Sequence, residues 1–178
     1  MLSSRLARPD DVAALRVLME AAIAELQKPF LSAAQIASSR AIMGLDTQLI
    51  EDGTYFVIES DGELAGCGGW SRRATLYGND QSSGRDAALL NPAVDPARIR
   101  AMYTHPSHTR KGVGRLILTL CEDAARVAGF KSVELMSTMS GEPLYRACGY
   151  EARESILDSS GGAAVPLIRM TKRLSESS

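Results

Sequence analysis

Basic residues and glycines are concentrated in one short segment, Thr109–Arg115, with the sequence TRKGVGR. Apolar residues at helical spacing begin at Val113, so the segment lies where a helix is predicted to begin. The first amide N–H groups of a helix have no partner inside it and together carry about +0.5 charge. Glycines let an anionic oxygen approach those amides, and Arg110, Lys111 and Arg115 can screen its remaining charge. The pattern indicates a diphosphate site; a tight turn with solvated basic side chains is the alternative.

Two common nucleotide motifs do not fit this segment. A dinucleotide-binding turn needs a third glycine three residues after Gly114, and Ile117 stands there instead. A P-loop needs Gly-Lys followed by Ser or Thr, and the sequence contains no such tripeptide. The segment therefore suits a phosphate ligand without matching either fingerprint.

Strands and helices alternate around this segment. The spacing of apolar residues and the positions of turn residues predict a strand that ends at Pro106 and then a helix along Val113–Ala124 that stops at Gly129. They further predict a strand KSVELMS, a short helix GEPLYRACGY and a final strand AVPLIRMTKRL. Alternation of this kind is typical of an α/β domain with a mixed sheet.

The first half of the chain supplies further elements. Val12, Leu15, Met19, Ala22 and Leu26 form one helical face after Asp10 and Asp11, and SAAQ at residues 32–35 matches a capping box. The segment TYFVIESDGELAGCGGW predicts a hairpin of Tyr55–Glu59 and Leu64–Trp70 around Asp61-Gly62, in which Gly66, Gly68 and Gly69 mark a bulge or a close approach. A long loop is predicted for 71–96, with a short helix at Asp86–Leu90.

Bulk properties restrict the class of protein. The chain has 178 residues and a net charge of -1, without a basic stripe, so neither nucleic acid nor an anionic membrane is an expected partner. Cys67, Cys121 and Cys148 form no CxxC pair and leave an odd thiol, which favours reduced cysteines and a cytoplasmic location. Scattered cysteines and two histidines predict no metal site.

Two motifs together resemble a known family. The run MYTHPSHTRKGVGRLIL resembles the acetyl-CoA-binding segment of GCN5-related N-acetyltransferases (GNAT), with Gly112 and Gly114 at the family's glycine positions and Thr109 where Gln or Arg is usual. The run GEPLYRACGYEA resembles the family's second signature, a Tyr in a short helix followed by Gly and an aromatic residue. Thr138 stands where many members have Asn.

The resemblance implies one N-acetyltransferase domain over residues 1–178, with a mixed, mostly antiparallel sheet whose two central strands splay into a V. It implies transfer of an acetyl group from acetyl-CoA to a primary amine of a small molecule, an amino acid or a peptide, by direct attack in a ternary complex. Tyr145 would be the general acid for the departing thiolate. The implied acetyl-CoA contacts are Met102, Tyr103, Thr104, Thr109, Arg110, Lys111, Gly112, Val113, Gly114 and Arg115.

The general base and the acceptor stay open at the level of sequence. In some relatives a Glu on the strand before the turn is the base, but Ile99–Tyr103 contains no acid, so His105, His108 and Glu59 are the candidates. That absence keeps a non-catalytic acyl-CoA-binding regulatory module as the alternative to an enzyme. The acceptor site is expected among residues 26–45 and 71–96, and homodimers are common in the family.

Overall fold

A computed structural model, which describes residues 1–176, contains one seven-stranded sheet with helices packed on both faces. The strands are Leu2–Leu6 (β1), Tyr55–Ser60 (β2), Glu63–Ser71 (β3), Ala97–Thr104 (β4), Ser132–Thr138 (β5), Glu151–Asp158 (β6) and Val165–Arg173 (β7). The helices are Val12–Leu26 (α1), Ala33–Ser39 (α2), Gln48–Glu51 (α3), Val113–Val127 (α4) and Glu142–Ala147 (α5). Short 3-10 turns at Pro9–Asp11 and Pro106–His108 precede α1 and α4.

The sheet is mixed and mostly antiparallel, as predicted, in the order β1-β2-β3-β4-β5-β7-β6. Among residues 1–176 the one parallel pair is β4 with β5, at the centre, and it is paired only at Ala97–Val133 and Arg98–Glu134. Beyond these two positions the strands diverge, while β5 stays paired to β7 along its whole length. The predicted V between the central strands is therefore confirmed, and it opens toward the C-terminal ends of β4 and β5.

Two hydrophobic clusters, one on each face, hold the sheet between its helices. α1 buries Leu15, Met19 and Ala22 against one face, and α2 packs beside it after the predicted Ser32–Gln35 capping box, whose two reciprocal hydrogen bonds are present. α4 packs on the opposite face through the predicted stripe that begins at Val113. The V is therefore bordered by the α1 and α2 cluster on one face and by the α4 cluster on the other.

The glycines of β3 permit α4 to approach the sheet. A Cβ on Gly66 would collide with the Val113 side chain, and one on Gly68 would lie 2.6 Å from Cγ2 of Ile117. Both distances are too short for carbon atoms that are not bonded, so only glycine fits at these positions. The prediction of a close approach at this strand is confirmed, and it brings the first turn of α4 close to the open end of the V.

The segment between residues 72 and 96 differs in part from its prediction. The helix predicted at Asp86–Leu90 is wrong, because these residues are extended and pair with Arg72–Thr75. The Leu90 N–H donates to the Arg72 carbonyl at 2.7 Å, and the Ala74 N–H donates to that of Ala88 at 2.9 Å. Main-chain bonds to a neighbouring segment replace the bonds that a helix would make within itself.

Candidate active site

A cleft of about 600 Å3 occupies the open end of the V and brings the predicted segments together. It is lined by the end of α1 and Met43, by the end of β4, by the turn before α4 and by the start of α5. Nine of the ten residues predicted to bind the cofactor line it, and Tyr145 lines it as well: Met102, Tyr103, Thr104, Thr109, Arg110, Gly112, Val113, Gly114, Arg115 and Tyr145. The tenth, Lys111, is exposed and lies outside the lining. The fixed charges in this lining, Arg110 and Arg115, are both positive, which suits an anionic ligand.

The turn before α4 leaves amides free at the mouth of the cleft. Gly112 caps the helix with φ of 85°, a left-handed conformation that favours glycine. The first main-chain bond at this end runs from the Leu116 N–H to the Gly112 carbonyl at 3.0 Å. The amides of Val113, Gly114 and Arg115 come before that bond, and so they have no acceptor within the helix. The turn has the form that a diphosphate site requires.

Gly114 has a different structural role from Gly112. A Cβ on Gly114 would lie 2.5 Å from Cδ2 of Leu144 in α5. The glycine therefore lets α5 pack against the first turn of α4, which brings Tyr145 to the same cleft. A Cβ on Gly112 would meet no atom within 4 Å, so space for a ligand remains beside it.

A bulge in β4 lies at the deep end of the cleft. Cys67 of β3 pairs with Tyr103 and Gly69 pairs with Arg100, so Ala101 and Met102 together lie opposite one residue. Ala101 has φ of 50°, and its carbonyl accepts a 2.6 Å hydrogen bond from the buried Tyr55 hydroxyl. Alanine is disfavoured in this conformation, and the sequence, whose glycines mark a bulge or a close approach in β3, carries no local signal for a bulge in β4. The bulge leaves the peptide groups next to Met102 outside the regular hydrogen-bond ladder between β3 and β4.

Tyr145 lies across the V from that bulge. It projects from α5 with its hydroxyl 3.7 Å from Sδ of Met102, at the distance of a weak O–H···S contact. Burial, followed by the nearby Cys121 and Cys148 thiols, raises the pKa of its phenol above the ordinary value. A raised pKa keeps the proton on the phenol at neutral pH, so Tyr145 can donate it. This is the state that a general acid requires before the reaction.

The three candidate bases are not equivalent. His108 lines the cleft and is buried, its Nε2 lies 3.4 Å from a Glu63 carboxylate oxygen, and its Nδ1 has no partner within residues 1–176. His105 accepts a 3.1 Å hydrogen bond from the Ser107 N–H and lies outside the lining. Glu59 is paired to Arg5 at 3.1 Å and is also outside it. The structure therefore brings only His108 of the three to the cleft.

The chain matches a known protein family over most of its length. The family model described as "Acetyltransferase (GNAT) family" matches residues 18–150. A search of curated protein sequences finds no match to the chain. Within residues 1–176, no helix combines the length and the apolar character needed to cross a membrane.

Solved structures with similar folds cover almost the whole chain. A GCN5-related N-acetyltransferase from Rhodopseudomonas palustris is 19% identical with a TM-score of 0.70, over 97% of this chain and 95% of its own. The PaiA N-acetyltransferase of Thermoplasma acidophilum, solved with coenzyme A, is 14% identical with a TM-score of 0.66, over 97% and 99%. YncA from Salmonella typhimurium, a putative acetyltransferase solved with acetyl-CoA, is 19% identical with a TM-score of 0.66, over 100% and 96%. At these identities the comparison shows that the folds are alike.

Proposed function

Because the chain belongs to the GNAT acetyltransferase family, we propose that it moves an acetyl group from acetyl-CoA to a primary amine, by direct attack in a ternary complex. The observation that carries this proposal is the cleft that joins the free amides before α4 to Tyr145 and the β4 bulge. The relatives from Thermoplasma acidophilum and Salmonella typhimurium, which were solved with coenzyme A and acetyl-CoA, support acetyl-CoA as the donor.

The proposed binding mode follows the charges and the free main-chain groups of the cleft. The diphosphate of acetyl-CoA accepts hydrogen bonds from the amides of residues 113–115, and Arg110 and Arg115 offset its charge. The pantetheine arm enters the V, where β4 and β5 no longer pair and their peptide groups are available. This orientation brings the thioester toward Met102 and Tyr145.

In the proposed reaction an N–C bond and an S–H bond form, while a C–S bond and an N–H bond break. The neutral amine nitrogen attacks the thioester carbonyl carbon, and the main chain near Met102 stabilises the oxyanion that forms. The C–S bond then breaks, the sulfur takes the electron pair, and the Tyr145 hydroxyl donates a proton to the departing thiolate. The amine nitrogen loses one proton to solvent as the amide forms, and Tyr145 regains one from solvent, so the products are an N-acetylated amine and free coenzyme A.

A coupled assay tests the proposal. Purified chain is incubated with acetyl-CoA and a panel of primary amines, and release of the free thiol is followed together with the mass of the acetylated product. Thiol release that depends on both the amine and Tyr145 is the expected result. Tight acetyl-CoA binding without thiol release for any amine would contradict this proposal and favour the non-catalytic regulatory module.

We further propose a cytoplasmic location, on the basis of the cysteines. Cys67 and Cys121 are buried free thiols and Cys148 is a half-buried one. Burial raises the pKa of the Cys67 thiol to about 12, so it stays protonated and unreactive. Cell fractionation of the tagged chain measures its location directly, and recovery from an oxidising compartment would contradict the proposal.

A further inference from the structure

A second cavity, of about 470 Å3, lies beside the face of the sheet that α1 and α2 cover. We call it the outer cavity. It is bounded by residues 74–86, by Ala41 and Ile42 after α2, and by the end of β6. The outer cavity shares no lining residue with the acetyl-CoA cleft, which is partly built by α4 and α5 of the opposite face. Ala22, Leu26 and Met43 of the α1 face also line the cleft, so the two spaces are separate cavities that reach the V at different places.

A narrow space of about 80 Å3, which we call the inner cavity, lies between the two and shares wall residues with each. It shares Tyr77 and Ile42 with the outer cavity, and it shares Met102, Thr138 and Tyr145 with the cleft. The shared walls make the inner cavity the shortest approach from the outer cavity to Met102 and Tyr145, apart from the mouth of the cleft at the turn before α4. Direct attack on the thioester needs such a second approach, because the donor and the acceptor must be bound together.

The outer cavity is acidic and rich in hydroxyl groups. Asp86 and Asp158 line it together with Tyr77 and several serines, and no Lys or Arg is among the lining residues. Arg85, next to Asp86 in the chain, pairs instead with the buried Asp46 at 2.9 Å. The negative charge of this cavity therefore has no basic counterpart within its own wall, which favours a cationic ligand.

Asp158 is positioned by two neighbours. It accepts a 2.7 Å hydrogen bond from the Tyr77 hydroxyl and a 3.0 Å bond from the Ser160 N–H. Burial alone would raise the pKa of this carboxyl, but these hydrogen bonds and that of the Ser160 hydroxyl hold the pKa below its ordinary value. Asp158 is therefore anionic at neutral pH, and Tyr77 connects it to the inner cavity.

The inner cavity offers no free charge to an acceptor. Its basic residue, Arg100, is buried and is already bound to Asp46 at 2.9 Å and to the Gly78 carbonyl at 3.1 Å. Ile42, Leu76 and Leu167 supply apolar wall. A carboxylate on the acceptor would find no available cation here, whereas an alkyl chain fits this wall.

We propose that the acceptor enters through the outer cavity and is a slender primary amine with a second cationic group, which Asp158 and Asp86 bind while the first nitrogen reaches the inner cavity. This inference rests on the proposed acetyl transfer and names its substrate class. The small inner cavity selects an unbranched chain, and the acidic outer cavity selects the distal charge.

A matched pair of amines tests the inference by steady-state kinetics. We expect 1,4-diaminobutane to have a kcat/KM about tenfold or more above that of 1-aminobutane, because only the diamine carries the distal charge. Asp158→Asn should lower kcat/KM for the diamine by about tenfold, mainly through KM, and leave the monoamine within about twofold. Asp61→Asn, in the exposed β2–β3 turn and outside the cavity lining, is the matched control and should change neither. Equal use of both amines, or an equal effect of Asp158→Asn on both, would overturn the inference.

A binding experiment separates this inference from the proposed function. Calorimetric titration of 1,4-diaminobutane into the chain saturated with coenzyme A measures the acceptor site without turnover. Binding that Asp158→Asn weakens about tenfold, and Asp61→Asn does not, supports the outer cavity even where no amine is acetylated. Binding that is absent, or that Asp158→Asn leaves unchanged, would overturn the outer cavity as the acceptor site, although amine-dependent thiol release would still support the acetyl transfer.

Discussion

The hydroxyl of Tyr145 lies 3.7 Å from the sulfur of Met102, although the two residues belong to elements on opposite sides of the V. Tyr145 comes from α5, which follows β5, and Met102 comes from the bulge in β4. The contact closes the deep end of the cleft on the face that carries α4. The proposed proton donor and an irregular stretch of main chain therefore meet at the point where the cleft proposed for acetyl-CoA lies next to the inner cavity.

Removal of the Tyr145 hydroxyl tests the proton donor. Tyr145→Phe should lower kcat by about 100-fold or more, because the thiolate then leaves without a positioned acid. Acetyl-CoA affinity should stay within about twofold in calorimetry, since the ring remains. Tyr150→Phe is the matched control, because its hydroxyl bonds Glu122 at 2.9 Å in the core. Similar losses of kcat in both variants would reassign the effect to packing.

A charge placed at Gly112 tests the diphosphate site. Gly112→Asp should weaken acetyl-CoA binding by at least about tenfold, through repulsion of the diphosphate and through strain at φ of 85°. Gly62→Asp, in the β2–β3 turn, is closely matched, because Gly62 also has φ of 85° and open space around a Cβ. Titration with coenzyme A should show weaker binding for the first variant alone. Unchanged affinity in Gly112→Asp would remove the diphosphate from this turn.

Elements that bury one face could be predicted from sequence, and edge elements could not. β2, β3 and β4 carry apolar residues in patterns that the sequence shows, and their predicted positions are confirmed. β1 and β6 were not predicted: both are edge strands in the sheet order, and β6 is exposed along most of its length. A strand that buries neither face has no need of apolar alternation, so it has no pattern to detect.

In the site, too, features that a local motif marks could be predicted, and features that depend on long-range contacts could not. The turn before α4 and Tyr145 could be predicted, because glycine spacing and a family motif mark them locally. The bulge at Ala101 depends on Tyr55, 46 residues away in the chain, and Tyr77 meets Asp158 across 81 residues. Contacts between segments so distant along the chain require the sheet topology, which local patterns do not contain.

Replacement of Ala101 by glycine should relieve the backbone strain in the β4 bulge. Ala101 has φ of 50°, so Ala101→Gly removes the cost of a left-handed alanine and should raise the free energy of unfolding by about 0.5–1 kcal/mol. Ala97→Gly, also in β4 and fully buried, has no such strain and should lower the free energy of unfolding by about 1 kcal/mol. Urea denaturation of both variants measures these opposite signs. A loss of stability in both would show that Ala101 is not strained.

The pair of Arg5 and Asp11 should make stability depend on pH. Two hydrogen bonds of 2.8 Å join them, and Arg5 lowers the pKa of the Asp11 carboxyl from 3.8 to about 2 against the effect of burial. Since the folded pKa is below the unfolded one, the stabilisation is complete above pH 3.8 and is lost as the pH falls toward 2. Arg5→Met should therefore lower the free energy of unfolding at pH 7 by about 1–2 kcal/mol, after allowance for solvent screening.

The difference between wild type and Arg5→Met should shrink as the pH falls below about 4, because Asp11 in the variant no longer titrates far below its unfolded value. Urea denaturation at a series of pH values between 7 and 3 measures this difference directly. Lys28→Met is the matched control, since Lys28 pairs with Glu25 at 2.9 Å while both side chains stay more than half exposed. Exposed pairs contribute about 0–1 kcal/mol, so the control should give a small difference that changes little with pH. A difference for Arg5→Met that stays constant down to pH 3 would instead assign its effect to the packing of the arginine side chain.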